Sequence, residues 1–194
     1  MSRVRKILAT LVVLGATGSL AAFGVFAAFS STTTNPGNTI TAGTVTITDN
    51  DAGVALYSLT NQAPAVTTTR CIGVTYTGSL DSTVKLYTAD VLDAGAQYVN
   101  VVVTPGTVTA GTAFPLCTGF VAHATATPFT GTLQAFKTAH SSFANGYTVN
   151  PGAATKWVTN DLLAYRIAVS IADVGAAGGA TSGTHAFTWE AQNQ

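Results

Sequence analysis

Short runs that alternate apolar and polar or β-branched residues, with turn signals about every ten residues, constrain the fold of this chain most. The clearest runs are Arg70 to Gly78 and Leu162 to Ile171, and others span residues 39–48, 83–91 and 184–191. A period of two is typical of a strand with one buried face. About eight such strands predict an all-β protein, an antiparallel β-sandwich of the Ig-like or jelly-roll type.

One stretch changes to helical spacing. Within residues 130–142, apolar residues such as Leu133 and Phe136 recur at helical intervals, which predicts the one short helix of the domain. The side-chain oxygen of Thr130 or Thr132 can cap its first turn.

Turn residues set the expected ends of several strands. Asp49 to Gly53 predicts a turn, and Val54–Leu59 is expected to form a short strand after it. The nearly apolar run from Tyr98 to Val103 predicts a central strand. Pro105-Gly106 is expected to end that strand, and Val108–Ala110 to return beside it as a hairpin.

The N-terminal end predicts export. Arg3, Arg5 and Lys6 form a basic start, and the 23 residues from Ile7 to Phe29 carry no charge. As a helix this run would be about 34 Å long, enough to cross a bilayer. Its glycines and the small residues near its end favour a signal helix over residues 1–27 that a signal peptidase removes. The alternative is a leader kept as an anchor, through which alone the protein would contact the membrane.

The part of the chain after the leader is poor in charge. It holds five of the eight basic residues and all eight acidic ones, a net charge of about −3. Because no basic patch is present, counterion-release binding to nucleic acid has no source. Charged residues make up 8% of the chain, against about a quarter in ordinary soluble domains. A Thr-rich surface of this kind is typical of an extracellular β protein.

Two cysteines, Cys71 and Cys117, follow the leader. An even count behind an export signal predicts one disulfide, and two unrelated buried thiols are the alternative. A metal site normally needs closely spaced pairs such as C-x-x-C, which this chain lacks.

Catalytic motifs are missing from the sequence. Its histidines, His123, His140 and His185, form no H-E-x-x-H zinc motif, and no G-x-S-x-G nucleophile elbow occurs. Glu190 is the only glutamate, and no acid pair stands where glycoside hydrolysis would need it. The prediction is a protein without enzymatic activity and without a cofactor.

Two weaker binding patterns have simpler structural interpretations. The run Asp49-Asn50-Asp51 offers oxygen ligands for calcium, but the EF-hand spacing is absent and a turn is the simpler prediction. Four aromatic residues offer a platform for sugars, although in a sandwich such residues belong more often to the core. They are Tyr147, Trp157, Tyr165 and Trp189.

The segment from Gly24 to Ile47 combines an aromatic residue, Ala-Ala-Phe-Ser, a polar run and a strand that opens with Ala-Gly-Thr. The residues that carry this pattern are Phe26, Ala27, Ala28, Phe29, Ser30, Ala42, Gly43 and Thr44. In this combination the segment resembles the start of the TasA/camelysin family, surface proteins of Gram-positive bacteria that a SipW-type signal peptidase processes. Ser31 and Thr32 stand where the family commonly has an acidic residue. The remainder of the chain looks like actinobacterial secreted relatives of that family.

The resemblance implies cleavage between Ala27 and Ala28 and a function in assembly. Fibre subunits of the family are linked when the start of one mature chain adds as a strand to the next. Here that strand would comprise Ala28, Phe29, Ser30, Ser31, Thr32, Thr33 and Thr34. It belongs to an N-terminal arm at residues 28–38, which precedes a sandwich domain at residues 39–194. A loose terminal arm is the alternative interpretation.

We therefore expect a secreted structural subunit of a cell-surface or biofilm-matrix filament. Its partners would be further copies of itself and, during export, the signal peptidase. A monomeric cell-surface adhesion module is the alternative. A camelysin-like surface protease is disfavoured, because the chain has no residues to which that activity can be transferred.

Overall fold

The computed structural model describes residues 41–193. The predicted signal peptide, its cleavage site and the arm at residues 28–38 lie outside this range. Residues 42–194 belong to one compact unit. Within the described range, no helix has the length and apolar character needed to cross a bilayer.

The described residues form nine strands, one α-helix and three 3₁₀ turns. The strands are β1 (Ile47–Asp49), β2 (Thr68–Tyr76), β3 (Thr83–Tyr87), β4 (Val99–Thr107), β5 (Val121–Ala122), β6 (Phe129–Thr132), β7 (Tyr147–Thr148), β8 (Leu162–Ile171) and β9 (Thr188–Gln192). The helix, α1, spans Leu133–Ala139, and the 3₁₀ turns span Ala94–Tyr98, Phe143–Asn145 and Gly175–Ala177.

These strands form two sheets whose strand pairs are antiparallel. The larger sheet has the order β1-β2-β8-β4-β5, with β6 also paired to β4, and the smaller has the order β7-β3-β9. Side chains from both sheets, among them Val74, Leu86 and Ile167, share one buried core. The predicted antiparallel sandwich with one short helix is therefore confirmed.

The longest strand, β8, organises the larger sheet. It is paired with β2 from Thr68 to Thr75 on one side and with β4 from Val99 to Gly106 on the other. Leu163, Tyr165 and Ile167 point into the core, and each exposes at most 1% of its surface. The strand begins at Leu162 and ends at Ile171, as the alternation in the sequence predicts.

The large aromatic side chains fill the core. Trp157 and Tyr165 are fully buried, and the indole N–H of Trp157 donates to the carbonyl oxygen of Val149 at 2.9 Å. The ring of Trp189, which is half-buried, lies 5.3 Å from that of Tyr165. Because buried rings cannot stack against a sugar, the core interpretation is confirmed for Trp157 and Tyr165.

The helix begins where a threonine caps it. The backbone N–H of Ala135 donates to Oγ1 of Thr132 at 3.1 Å, as an N-cap does. α1 is shorter than the predicted range of 130–142, because residues 129–132 pair with β4 as β6. The ring of Phe136 packs edge-on at 4.9 Å against that of Phe129, which fixes the helix on the larger sheet.

Several expectations about strand ends are wrong. Three strands are shorter than predicted, since β1 begins at Ile47, β3 ends at Tyr87 and β9 begins at Thr188. Residues 54–59 form a loop, β4 continues through Pro105-Gly106, and residues 108–110 do not return beside it. The chain pairs with β4 again only at Val121. Pro105 is tolerated within β4 because β6 stops pairing before it and β5 starts after it. The carbonyl oxygen of Pro105 accepts from the N–H of His123 at 2.9 Å, so pairing on this side continues without the N–H that proline lacks.

A disulfide joins β2 to the long connection after β4. The sulfurs of Cys71 and Cys117 are bonded and their Cα atoms lie 5.2 Å apart, which confirms the predicted pair. The bridge spans a sequence separation of 46 and fastens residues 112–117 beside β2.

Removal of this bridge should destabilise the domain. For a closed loop of this length, the chain-entropy model predicts that the bridge adds about 4 kcal/mol to the free energy of unfolding. Its loss corresponds to a fall in Tm of about 10 °C for a domain of this size. Thermal unfolding of the Cys71→Ala/Cys117→Ala variant measures it, with the reduced parent chain as the matched control. Equal Tm values for bridged and unbridged chains would contradict the prediction.

Candidate functional site

A surface groove of about 620 Å³ lies beside the first half of β2. One wall is the 50–59 loop and the other is the 112–115 segment. Large apolar and charged side chains both line it: Leu56, Tyr57, Phe114, Asp51 and Arg70. Among the described residues, Asp51 and Arg70 are the only charged ones that line it, so the groove is largely apolar with one charge of each sign.

A tight turn begins the first wall. The N–H of Asp51 donates to Oδ1 of Asp49 at 3.2 Å, and the N–H of Gly53 donates to Oδ1 of Asp51 at 2.6 Å. Burial raises the pKa of the Asp49 carboxyl, and the neighbouring charge of Asp51 adds to this. The predicted turn is confirmed. Within residues 41–193, no group of three or more His, Cys, Asp or Glu side chains is placed to hold a metal ion.

Backbone hydrogen bonds and the disulfide hold the second wall. The N–H of Cys71 donates to the carbonyl oxygen of Pro115 at 3.0 Å, next to the bridge from Cys71 to Cys117. The 112–115 segment therefore lies beside β2 where a neighbouring strand would otherwise continue.

The edge of β2 that faces away from β8 is only partly covered. Alternate residues of a strand direct their N–H groups to the same side, and on this side Gly73 donates to Oδ1 of Asn50 at 2.8 Å and Cys71 donates to Pro115. Thr69 follows the same alternation, but its N–H has no partner among residues 41–193. The first half of β2 thus keeps an open sheet edge next to the groove.

Arg70 protects part of this open edge. Its Nη1 donates to the carbonyl oxygen of Thr69 at 3.1 Å, and the residue is exposed. Charged residues at sheet edges discourage unselective strand pairing. Thr69 therefore offers a free N–H, while its carbonyl is covered by a side chain that can move away.

A tyrosine–histidine pair anchors the first wall to the chain before β9. The Tyr57 hydroxyl lies 2.7 Å from Nε2 of His185, and Nδ1 of His185 lies 3.0 Å from the carbonyl oxygen of Gly183. Since a carbonyl can only accept, Nδ1 donates, and the neutral imidazole accepts from Tyr57 at Nε2. Burial raises the pKa of the Tyr57 hydroxyl.

The other two histidines bind backbone near their own positions. Nδ1 of His123 accepts from the N–H of Ala126 at 3.1 Å. Nδ1 of His140 lies 2.8 Å from the carbonyl oxygen of Asn145, and its ring packs 5.0 Å from that of Phe136. Each histidine thus has a structural setting of its own, and among the described residues none belongs to a group of three or more side chains placed to hold a metal ion.

Glu190 lies on β9 and is held by two neighbours. The side-chain amide of Gln192 donates to Oε1 at 2.6 Å and the Tyr87 hydroxyl donates to Oε2 at 2.7 Å. These bonds, the first more than the second, lower the pKa of the carboxyl. They stabilise a carboxylate as a hydrogen-bond acceptor on β9, which is not the setting of a general acid.

Comparisons with protein-family models and with curated proteins find no match to this chain. The groove is thus interpreted from its geometry. The sequence does not reveal the groove, because residues 54–59 resemble a strand. Arg70 is the one sequence signal for it. This charged residue lies on the same face of the strand as Ile72 and Val74, which indicates that the core does not extend to this end of the strand.

The stability of the domain should fall at alkaline pH through Tyr57. The fold raises the pKa of the Tyr57 hydroxyl, so this group stabilises the folded state fully below about pH 10. As the pH rises above that value, the free energy of unfolding falls by up to about 1.4 kcal/mol per pH unit. Denaturant unfolding between pH 9 and about 11.5 measures this. The free energy of unfolding of Tyr57→Phe should fall less steeply with pH than that of the parent chain. Parallel curves would contradict this assignment.

Proposed function

We propose that this chain is the precursor of a secreted structural subunit of a cell-surface or biofilm-matrix filament. In this proposal a SipW-type signal peptidase cleaves between Ala27 and Ala28, and the freed arm at residues 28–38 adds as a strand to a neighbouring subunit. The resemblance to the TasA/camelysin family motivates it. The observation that carries it is the open edge of β2 at Thr69, set beside an apolar groove.

The direction of β1 supports contact between copies. Ser79 and Leu80 donate to the carbonyl oxygen of Thr44 at 2.9 and 3.2 Å, whereas Asn50 lies beside Gly73. The chain therefore enters the larger sheet at the Tyr76 end of β2 and reaches the groove beside Gly73, about 10 Å further along the strand at 3.3 Å per residue. An arm that joins the groove of a second copy makes a head-to-tail contact, which generates an open filament when the rotation does not close.

The disulfide supports an extracellular location. Bridges such as Cys71–Cys117 persist in oxidising compartments and are rare in the cytosol. Here the bridge also shapes the acceptor, because Cys117 holds the 112–115 segment beside β2. Export would thus complete the surface on which the proposed assembly depends.

A monomeric adhesion module is the second candidate, and the same groove favours it. Its apolar side chains Leu56, Tyr57 and Phe114 lie beside polar groups, as in sites for small ligands or peptides. The two candidates differ in whether the mature chain associates with itself, which makes its state of assembly the deciding measurement.

Deletion of the arm should abolish filaments. The mature chain, residues 28–194, should form filaments in negative-stain electron microscopy, whereas the chain from residue 39 should remain monomeric, because it lacks the donated strand. Equal melting temperatures of the two proteins would show that the domain is intact. Filaments from both proteins alike would refute strand donation, and monomers from both would favour the adhesion module.

Thr69→Pro should weaken assembly without unfolding the domain. Proline removes the free N–H and is tolerated at a sheet edge, and loss of one hydrogen bond corresponds to a critical concentration about three to ten times higher. Light scattering over a concentration series measures this, with Thr69→Val, which keeps the N–H, as the matched control. An unchanged critical concentration for Thr69→Pro would exclude this edge as the acceptor.

A further inference from the structure

We propose that Asp51 binds the α-ammonium group that leader removal creates on Ala28 of a second copy. This inference rests on the proposed function and adds a recognition step that depends on processing. An uncleaved chain has an amide at this position, so it offers Asp51 no cation.

The charge distribution of the arm and of the groove argues for this contact. Residues 28–38 contain no charged side chain, so after cleavage their only charge is the terminal ammonium, whose pKa is about 8. The groove presents one negative side chain, Asp51, and one positive side chain, Arg70. The ammonium is attracted to the first and repelled by the second, which orients the arm.

The Asp51 carboxylate is available for such a ligand. Its Oδ1 accepts from the N–H of Gly53 at 2.6 Å, and it forms no ion pair with any residue between 41 and 193. The carboxyl of Asp49, which accepts from the N–H of Asp51 at 3.2 Å, adds a second acidic group to the same turn. A half-buried carboxylate that has no cation beside it binds an ammonium group more strongly than a fully exposed one does, because the local dielectric constant is lower than that of water.

The second residue of the arm fits the rest of the groove. Phe29 follows the ammonium directly and is the only aromatic residue within residues 28–38. Leu56, Tyr57 and Phe114 line the same groove as Asp51. An aromatic side chain next to the captured amine would therefore be buried against apolar side chains, while the Ser and Thr residues after it remain at the surface.

The orientation agrees with the open edge of β2. Asn50, the neighbour of Asp51, is bonded to Gly73, and Thr69 lies four residues earlier on the same strand. An arm that starts at Asp51 and continues past Arg70 runs opposite to β2. This is the direction of an antiparallel partner, and because the N–H groups of Gly73 and Cys71 are already bonded, Thr69 is the position of this edge that is left for the arm.

The experiment follows assembly of the mature chain in the presence of a competing peptide, residues 28–38. The peptide with a free amino terminus should inhibit filament growth about ten times more strongly than the same peptide with an acetylated terminus. High salt should reduce this difference, because it screens a half-exposed ion pair. Equal inhibition by the two peptides would overturn the inference.

A matched pair of variants tests the acceptor. Asp51→Asn keeps an oxygen for the Gly53 N–H and so preserves the turn, and it should raise the critical concentration about tenfold. Asp81→Asn, an exposed position beyond the far end of β2, should leave it unchanged. If Asp51→Asn assembles like the parent while deletion of the arm still abolishes filaments, this inference fails and the proposed function stands. If the mature chain forms no filaments, both fail.

Discussion

The pairing of β8 with a long strand on each side is the interaction on which the rest of the structure depends. Because β2 and β4 are hydrogen-bonded to it over eight positions each, the three strands form a continuous antiparallel ladder. Their inward side chains, including Val74, Val101 and Ile167, expose 1% of their surface or less. The smaller sheet and α1 pack on this face, whereas the short strand β1 covers only one half of the remaining edge of β2.

Part of the outer face of this ladder is also covered, although antiparallel sheets commonly have one face in contact with solvent. Gly73, Ala164 and Gly106 lie in one cross-strand row, and a side chain at Gly106 would place its Cβ 2.2 Å from the carbonyl oxygen of Val121. The ring of Phe120 lies 4.4 Å from the guanidinium of Arg166. The connection between β4 and β5 thus packs on small residues, and its fixed position creates the second wall of the groove.

The parts that the sequence predicted are those governed by local pattern. Strands β2, β3 and β8 follow period-two alternation, and α1 begins at a threonine able to cap it. The errors lie where tertiary context overrides local signals: Pro105 lies where β4 changes its partner from β6 to β5, and residues 54–59 pack as a loop although they resemble a strand. The groove was beyond reach for the same reason, since its first wall is that loop and its second wall lies beside β2 through contacts between residues distant in sequence, such as Cys71 and Pro115.

An open edge in a charge-poor β protein invites unselective pairing, and the structure limits it with few groups. Arg70 covers the carbonyl of Thr69, so a strand gains the full edge only if it displaces a cation, and the Cys71 N–H is already bonded to Pro115. A strand with basic side chains would be repelled, and a long one would collide with the disulfide-fastened wall. A short, uncharged segment has no basic side chain that Arg70 would repel. These constraints on shape and charge select among extended segments more strongly than the main-chain hydrogen bonds, which any polypeptide can form.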